Sequence, residues 1–495
     1  MNLKKRVLFG SVWSLAANGG EQLIQLILFV YVARKLTPAD IGLVALAMVF
    51  IDILAFVTRL GQVEAIQRQS SLDDRLLSTS FWLLAAGGLL ASGLVASTAE
   101  ASIRWWDSGL FGTVLLMLAP ICALRAWTAV PEAILRHRFA YGSLAVRSWL
   151  ATLIGGGVAA YLAYLGHGVY ALVAQRLVTA LVGTITSWAV LGWRPRFGFD
   201  RVGAAYLVRS GFVFMTNGFA GLVNRNLVQA ITGVILGTTT LGLLRLGWRF
   251  FDFVTKTAVQ PISRVTLSTF SQLRDDVDAL KRAYLRLSQF MALAALPMFV
   301  GLGVVADLFV PLVLGPHWAG AIVVMQFLAF SRLSTPVGYF FGPTLIAMGR
   351  TRALLRQSIV QIGLTVVLVS AGTFFGIIGV LVAIIVRSTT ITIYNIAVLH
   401  KEIGLEASAV VRVLVPPVVA CIAMAAAVEF AKYELSGELA PAALLGLLVV
   451  GGAFVYGAAL LLGEVLHLWP GYIRGAARSL SRALRRGPKA AATPA

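Results

Sequence analysis

Long apolar stretches recur from near the N-terminus to about residue 466, and they constrain this 495-residue chain more than any other feature. We count fourteen of them, and each approaches the roughly 20 residues that a helix needs to cross a bilayer. A segment in lipid must satisfy its own backbone hydrogen bonds, so each stretch is expected to be a helix. The stretches begin near Val12, Ile41, Thr79, Leu110, Leu144, Val169, Phe212, Leu241, Leu287, Ala319, Leu355, Ile377, Val411 and Ala442.

The composition excludes an ordinary soluble domain. Apolar residues make up 59% of the chain and charged residues 13%, against about 25% charged residues in soluble proteins. The apolar runs are continuous, whereas transmembrane β-strands alternate apolar and polar residues. The sequence therefore predicts an all-α integral membrane protein with about fourteen transmembrane helices.

The distribution of the 41 lysines and arginines predicts the orientation. With the N-terminus in the cytoplasm, 29 of them fall in cytoplasmic segments and only 4 in outer loops. Cytoplasmic loops of membrane proteins carry this excess, so both termini are expected in the cytoplasm. The net charge of +20 is therefore a topology signal. No nucleic-acid partner is predicted, because the charges are scattered among short loops.

Eight cations fall inside the predicted spans, where each costs about 2.5–3.5 kcal/mol if it faces lipid. The candidate intramembrane acids are fewer, which predicts a net positive interior and an anionic ligand. A transporter that expels cationic drugs would favour an acidic interior instead. The eight cations are Arg125, Arg176, Arg225, Arg245, Arg249, Lys256, Arg332 and Arg387. The acids are Glu21, Asp52, Asp252, Asp307 and the candidate Glu464.

An internal repeat at an offset of 200 residues predicts two pseudo-symmetric halves. Six of seventeen positions are identical when 36–52 is aligned with 236–252, among them the pairs Gly42/Gly242 and Asp52/Asp252. Parallel repeats of this kind place a transporter's substrate site between the halves. The predicted division is an N-lobe of helices 1–6 (1–198), a C-lobe of helices 7–12 (199–402), helices 13–14 (403–468) and a basic cytoplasmic tail (469–495).

Polar side chains share one face on particular helices, and these faces define the candidate site. On helix 8 the charged residues are spaced 4, 3 and 4 apart, which places them on one face. Pairwise structural ion pairs remain the alternative for any single residue. The predicted cationic cavity comprises Arg225, Arg245, Arg249, Lys256, Arg332, Arg59, Asn18 and Asn224. The residues predicted for charge balance or ion coupling are Glu21, Asp52 and Asp252.

Motifs for chemistry on a bound group do not occur in the sequence. It holds no G-x-x-x-x-G-K-[ST] and no H-E-x-x-H, and its two cysteines lie in apolar stretches. The longest predicted outer loop, about a dozen residues, is too short to hold the catalytic residues of a glycan polymerase or ligase. The chain is therefore predicted to be a transporter without cofactor or metal, and not an enzyme.

Three segments carry a resemblance to a known family. The opening helices (11–50), RLGQVEAIQRQ (59–69) and ADLFVPLVLGPHWAGA (306–321) are similar to corresponding segments of bacterial oligosaccharide and lipopolysaccharide flippases. These flippases belong to the multidrug/oligosaccharidyl-lipid/polysaccharide exporter superfamily. The resemblance covers essentially the whole chain. It implies two six-helix lobes plus two C-terminal helices, in the bacterial inner membrane.

The resemblance also implies an activity. The expected function is to flip undecaprenyl-diphosphate-linked oligosaccharide repeat units from the inner to the outer leaflet by alternating access, for lipopolysaccharide or exopolysaccharide synthesis. Besides this substrate and the membrane lipids, candidate partners are the polysaccharide polymerase and the export machinery. Two alternatives remain open within the superfamily, a cation-coupled multidrug exporter and a flippase of the peptidoglycan lipid precursor.

Overall fold

The computed structural model describes residues 20–59, 61–67, 69, 72–105, 109–198, 200–260, 266–469 and 472. Within these ranges every regular element is helical, which confirms the predicted all-α class. The first ten α-helices are α1 (Gly20–Ala33), α2 (Pro38–Arg59), α3 (Gln62–Gln67), α4 (Asp74–Trp105), α5 (Gly109–Leu118), α6 (Pro120–His137), α7 (Tyr141–Tyr164), α8 (Val169–Val190), α9 (Arg201–Ile235) and α10 (Gly237–Val254). The others are α11 (Thr266–Gln272), α12 (Val277–Val304), α13 (Ala306–Val313), α14 (Gly320–Ser331), α15 (Thr335–Gly338), α16 (Phe341–Ala347), α17 (Thr351–Thr373), α18 (Gly376–Ile403), α19 (Ala407–Leu435) and α20 (Pro441–Val465).

Eleven helical segments in the described part of the chain are long and apolar enough to cross a membrane. The chain is thus a multi-pass membrane protein. The predicted total of fourteen spans stays a prediction. Two of the remaining three predicted spans lie on α9 and α10, and α10 carries Arg245, Arg249 and Asp252, which lower its mean hydropathy. The third corresponds to α1, which is described only from Gly20.

Contacts group the chain into two compact units. The first unit comprises Met1–Arg249, Val313–Ala321 and Ser358–Ile384, and the second comprises Phe250–Leu312, Ile322–Gln357 and Ile385–Ala495. A core of the first unit is built on α3, α4 and α6, with Ile66, Leu84 and Ile134 fully buried. A core of the second unit is built on α12, α19 and α20 around Leu296 and Met424. The lobe boundaries at 198 and 402 stay a prediction, and most of the predicted tail lies outside the described residues.

The start of α2 shows how the sequence fixes a helix end. The Asp40 carboxylate accepts hydrogen bonds from the backbone nitrogen of Thr37 (3.0 Å) and from its hydroxyl (2.7 Å), and the Asp40 nitrogen donates to that hydroxyl at 3.3 Å. This reciprocal arrangement satisfies backbone donors that a helix start otherwise leaves unpaired. Pro38 follows as the first helical residue, where its missing N–H removes no hydrogen bond.

The two glycines that the repeat aligns face one another within the first unit. A Cβ on Gly42 would lie 2.6 Å from the carbonyl carbon of Thr238 and 2.9 Å from the Gly242 nitrogen. A Cβ on Gly242 would lie 2.7 Å from the carbonyl carbon of Pro38. Since Pro38 and Thr238 also differ by 200 in number, the contact reproduces the repeat. The backbones of α2 and α10 therefore meet at a crossing that only glycine fits.

Two interruptions of regular helix lie in the second unit. Residues Thr255–Val259 form a π-helical turn directly after α10, and Lys256 lies on it. Between α14 and α15 the residues Arg332–Ser334 form a 3₁₀ turn. Interruptions of this kind are frequent at functional sites and hinges in helices. Each therefore places a predicted site residue on irregular backbone.

Candidate functional site

Four arginines and one aspartate from four helices of the first unit come together. We call this group the arginine cluster: Arg125 on α6, Arg176 on α8, Arg245 and Arg249 on α10, and Asp52 on α2. The Arg125 Nη1 lies 2.6 Å from the Asp52 Oδ1, which makes a direct ion pair. Arg176 interacts electrostatically with the other three arginines and with Asp52. All five residues lie in the interior of their helices rather than at the ends.

The arginine cluster is strongly positive, and its side chains are not fully buried. It holds four guanidinium groups and one carboxylate, which leaves an excess of three positive charges. The Arg176 side chain is exposed, and those of Arg125, Arg245 and Arg249 are half-buried. Like charges this close repel one another, and in a membrane segment each is costly. An anion bound among them would relieve both penalties.

A polar path leads from the arginine cluster to α1 and α7. The Arg249 guanidinium lies 3.5 Å from the Gln25 Oε1 and stands over the Phe29 ring, 5.3 Å from its centre. The Gln25 amide donates to Glu21 at 2.9 Å. Glu21 also accepts a hydrogen bond of 2.6 Å from the Ser148 hydroxyl. The predicted acid Glu21 is thus linked to Arg249 through a single glutamine.

A second charged group lies in the second unit. The Arg332 Nη2 is 3.8 Å from the Asp252 Oδ1, and Arg387 interacts electrostatically with Arg332. Asp252 is exposed and Arg332 is half-buried. The charged residues that were predicted to share one face of helix 8 therefore have two different environments. Arg245 and Arg249 belong to the arginine cluster, and Asp252 pairs with Arg332.

The remaining predicted residues have other surroundings. Arg225 is exposed on α9, whereas its neighbour Asn224 is buried and donates a 3.4 Å hydrogen bond to the Ser358 carbonyl. Arg59, at the end of α2, interacts electrostatically with Glu132. Lys256 is half-buried on the π-helical turn. Asn18 lies outside the described residues.

Two members of the arginine cluster were not singled out for the site by the sequence. Arg125 and Arg176 are single charges on their helices, so no pattern of spacing marks them. The sequence marks them only as two of the eight cations that fall within predicted spans. Within the described residues, no group of three or more His, Cys, Asp or Glu side chains is arranged to hold a metal ion.

Comparison with known sequences relates this chain to proteins of polysaccharide synthesis. Residues 31–323 match the profile of a family described as "Polysaccharide biosynthesis protein". The succinoglycan biosynthesis transport protein ExoT of Rhizobium meliloti (strain 1021) is 26% identical over 463 residues, which are 91% of this chain and 92% of ExoT. The lipopolysaccharide biosynthesis protein WzxC of Escherichia coli (strain K12) is 24% identical over 417 residues, 81% of this chain and 82% of WzxC.

Comparison with solved structures identifies the fold. The lipid II flippase MurJ, in an inward closed conformation, gives a TM-score of 0.68 at 13% identity and covers 92% of this chain and 100% of MurJ. An inward-facing MATE-family multidrug resistance transporter of the MOP superfamily gives a TM-score of 0.62 at 17% identity, over 77% of this chain and 94% of that one. The match over residues 31–323 confirms the predicted relation to polysaccharide biosynthesis proteins. The prediction of a transporter is confirmed as well, since ExoT, which aligns with 91% of this chain, is named a transport protein.

Proposed function

The chain belongs to the polysaccharide biosynthesis protein family, and from that premise we propose that it flips undecaprenyl-diphosphate-linked oligosaccharide repeat units across the bacterial inner membrane. The units move from the inner to the outer leaflet by alternating access and supply lipopolysaccharide or exopolysaccharide synthesis. The polysaccharide polymerase and the export machinery are the expected partners on the receiving side. Both termini of the flippase lie in the cytoplasm, as its cation distribution predicts.

The arginine cluster is the single observation that supports this substrate most. A diphosphate carries negative charge, which complements the net positive charge of the arginine cluster. Guanidinium forks match phosphate oxygens in a bidentate geometry, and such charge-assisted hydrogen bonds are about twice as strong as neutral ones. In this proposal Arg176 and Arg249 bind the diphosphate. The polyprenyl tail stays in lipid, and the glycan remains in the aqueous part of the path.

The acidic residues reduce the positive charge that the substrate meets. Asp52 neutralises Arg125, and Asp252 neutralises part of the charge of Arg332. We propose that these two residues and Glu21 balance charge or bind a coupling cation. The membrane potential is a further driving force, because an inside-negative potential favours outward movement of an anion by about 2.3 kcal/mol per charge per 100 mV.

A gene deletion with complementation tests the function. The lipid-linked saccharides of the deletion strain are profiled by mass spectrometry, and the proposal expects an undecaprenyl-diphosphate-linked repeat unit to accumulate. Wild-type protein should clear this intermediate, and the R176A and R249A variants should not. R352A, which removes an exposed arginine of α17, is the matched control. A deletion strain without an accumulated intermediate, or full clearance by both cluster variants at normal protein levels, contradicts the proposal.

The peptidoglycan precursor is the second candidate substrate. The match to MurJ, named as a lipid II flippase, extends over 92% of the chain and favours this alternative. Both candidates are glycans on a polyprenyl diphosphate, so the arginine cluster fits either one. The lipid profile separates them, because the lipid that accumulates in the deletion strain is the substrate. Accumulation of lipid II, in place of the repeat unit, would identify the peptidoglycan precursor as that substrate.

A further inference from the structure

A small cavity in the first unit lies apart from the residues assigned to the diphosphate. Its volume is about 310 Å³, and it is lined by Gln67, Arg136, His137, Phe139 and Tyr141. This volume is at the lower end of ligand pockets, which measure about 300–1,000 Å³. The lining combines two aromatic rings with an amide, a guanidinium and an imidazole.

A different cavity of about 460 Å³ in the first unit lies beside Arg34 and His317. The cavity of about 310 Å³ lies between the end of α3 and the end of α6. In the orientation that the cation distribution predicts, both of these helix ends face the cytoplasm. We call the smaller cavity the α6 pocket.

The backbone of Phe139 is unusual for its residue type. Its φ is +55°, in the left-handed region that favours glycine. The Phe139 nitrogen donates to the Arg136 carbonyl at 3.0 Å, and the Ala140 nitrogen donates to the Leu135 carbonyl at 2.9 Å. This pair of hydrogen bonds forms a Schellman motif, and Phe139 occupies the position where glycine is usual. Folding alone would therefore favour glycine at residue 139.

Packing does not account for the phenylalanine either. The Phe139 side chain is 77% exposed and that of Tyr141 is 54% exposed. The two rings contact each other edge to face, with centres 6.2 Å apart and planes at 67°. A strained backbone that presents an exposed ring points to a function outside the fold.

Two polar side chains of the α6 pocket, those of Arg136 and His137, are held in place by their neighbours. The Arg136 guanidinium donates to the Glu132 carboxylate at 2.6 Å, and the His137 Nε2 lies 3.0 Å from the Gln69 carbonyl. Gln67 is half-buried at the end of α3. The pocket thus offers aromatic faces beside fixed hydrogen-bonding groups. A sugar ring needs this combination, because its C–H face is apolar and its rim carries hydroxyl groups.

We infer that the α6 pocket binds a sugar ring of the lipid-linked glycan on the cytoplasmic side, before the diphosphate reaches the arginine cluster. The sugar stacks on Phe139 and Tyr141, and its hydroxyl groups bind Gln67 and Arg136. This inference rests on the proposed function, since that function supplies the glycan.

The experiment compares two lipids on the purified full-length protein in nanodiscs. One lipid is undecaprenyl diphosphate without sugar, and the other is the glycosylated lipid extracted from the deletion strain. F139G removes the ring together with the backbone strain, and Y141A removes a ring only. We expect each variant to bind the glycosylated lipid about tenfold more weakly, as the loss of one aromatic contact predicts, and to bind undecaprenyl diphosphate like the wild type. F139G should also melt at a higher temperature than the wild type.

H467G is the matched control, because His467 is also exposed and has a φ of +58°. It should gain thermal stability and keep its affinity for both lipids. Unchanged affinity of F139G and Y141A for the glycosylated lipid overturns the inference. Equal weakening for both lipids also overturns it, because the rings then contact lipid rather than sugar. If the wild type binds neither lipid, the proposed function itself fails, and the pocket loses its assigned ligand.

Discussion

Replacing Gly42 with alanine should force α2 and α10 apart. The added Cβ would lie 2.6 Å from the carbonyl carbon of Thr238, whereas ordinary van der Waals contacts lie at 3.4–4 Å. The carbonyl oxygen of Thr238 lies nearer still, so the two backbones must separate by more than about 1 Å, which is overpacking that costs at least about 1–3 kcal/mol. Backbone atoms form the obstacle, so no side chain can rotate away to make room.

The double variant tests the geometry further. Gly242 approaches the carbonyl carbon of Pro38 at the same crossing, within 2.7 Å of a built Cβ. A single separation of the helices relieves both overlaps, so G42A and G242A should not be additive. We expect the double variant to lose about as much stability as the worse single variant, whereas independent sites would give the sum.

Thermal unfolding of the purified protein, followed by tryptophan fluorescence, measures these effects. Extrapolated to a chain of this length, each kcal/mol corresponds to a shift of about 1–2 °C in Tm. G93A is the control, because a Cβ on Gly93 of α4 meets nothing within 4 Å. Alanine inside a helix is favoured over glycine, so G93A should not lower Tm. If G42A melts like G93A, or if the two crossing variants add fully, the reasoning about the crossing is wrong.

The other predictions concern single contacts, and all are read by the same unfolding assay. D52A leaves Arg125 without its carboxylate and should lower stability by about 1–2 kcal/mol, given that both side chains are about one-third exposed; equal Tm for D52A and wild type contradicts this. W318F removes the hydrogen bond from the buried Trp318 to the Ala33 carbonyl (2.9 Å) and should cost about 1–3 kcal/mol; no loss in W318F means that the bond contributes nothing. Y284F removes the 2.6 Å bond to the Val337 carbonyl and should cost a similar amount; its effect should add to that of W318F, and strong non-additivity would contradict their independence.

Much of the fold could be predicted because a chain segment that crosses lipid can adopt few backbone structures. Each apolar stretch had to be a helix, and several helices begin close to the predicted positions, as at Ile41 on α2 and Ile377 on α18. Two others, α9 and α12, begin about ten residues before the predicted starts at Phe212 and Leu287. The repeat also pointed to a real contact, since Gly42 and Gly242 meet at the crossing. Pattern alone could not predict the π-helical turn at Thr255–Val259, because it depends on local backbone geometry.

The candidate site was predicted less completely. Periodicity places Arg245, Arg249 and Asp252 on one face of a helix, but it does not say which partner each one meets. In the structure Asp252 pairs with Arg332, eighty positions away in the chain, and Arg249 approaches Gln25 and Phe29. Arg176 has no charged neighbour on its own helix, so only the packing of α8 against other helices reveals its place in the arginine cluster.

Binding of undecaprenyl diphosphate tests most directly the claim that the arginine cluster receives a diphosphate. The purified wild-type protein in nanodiscs is compared with R176A and R176K, and with R352A as the control outside the cluster. Loss of charge-assisted hydrogen bonds worth about 1.5–3 kcal/mol should weaken binding by R176A about ten- to a hundredfold. R176K keeps the charge without the planar fork and should fall in between. R352A should bind like the wild type. Wild-type affinity in folded R176A would contradict the account.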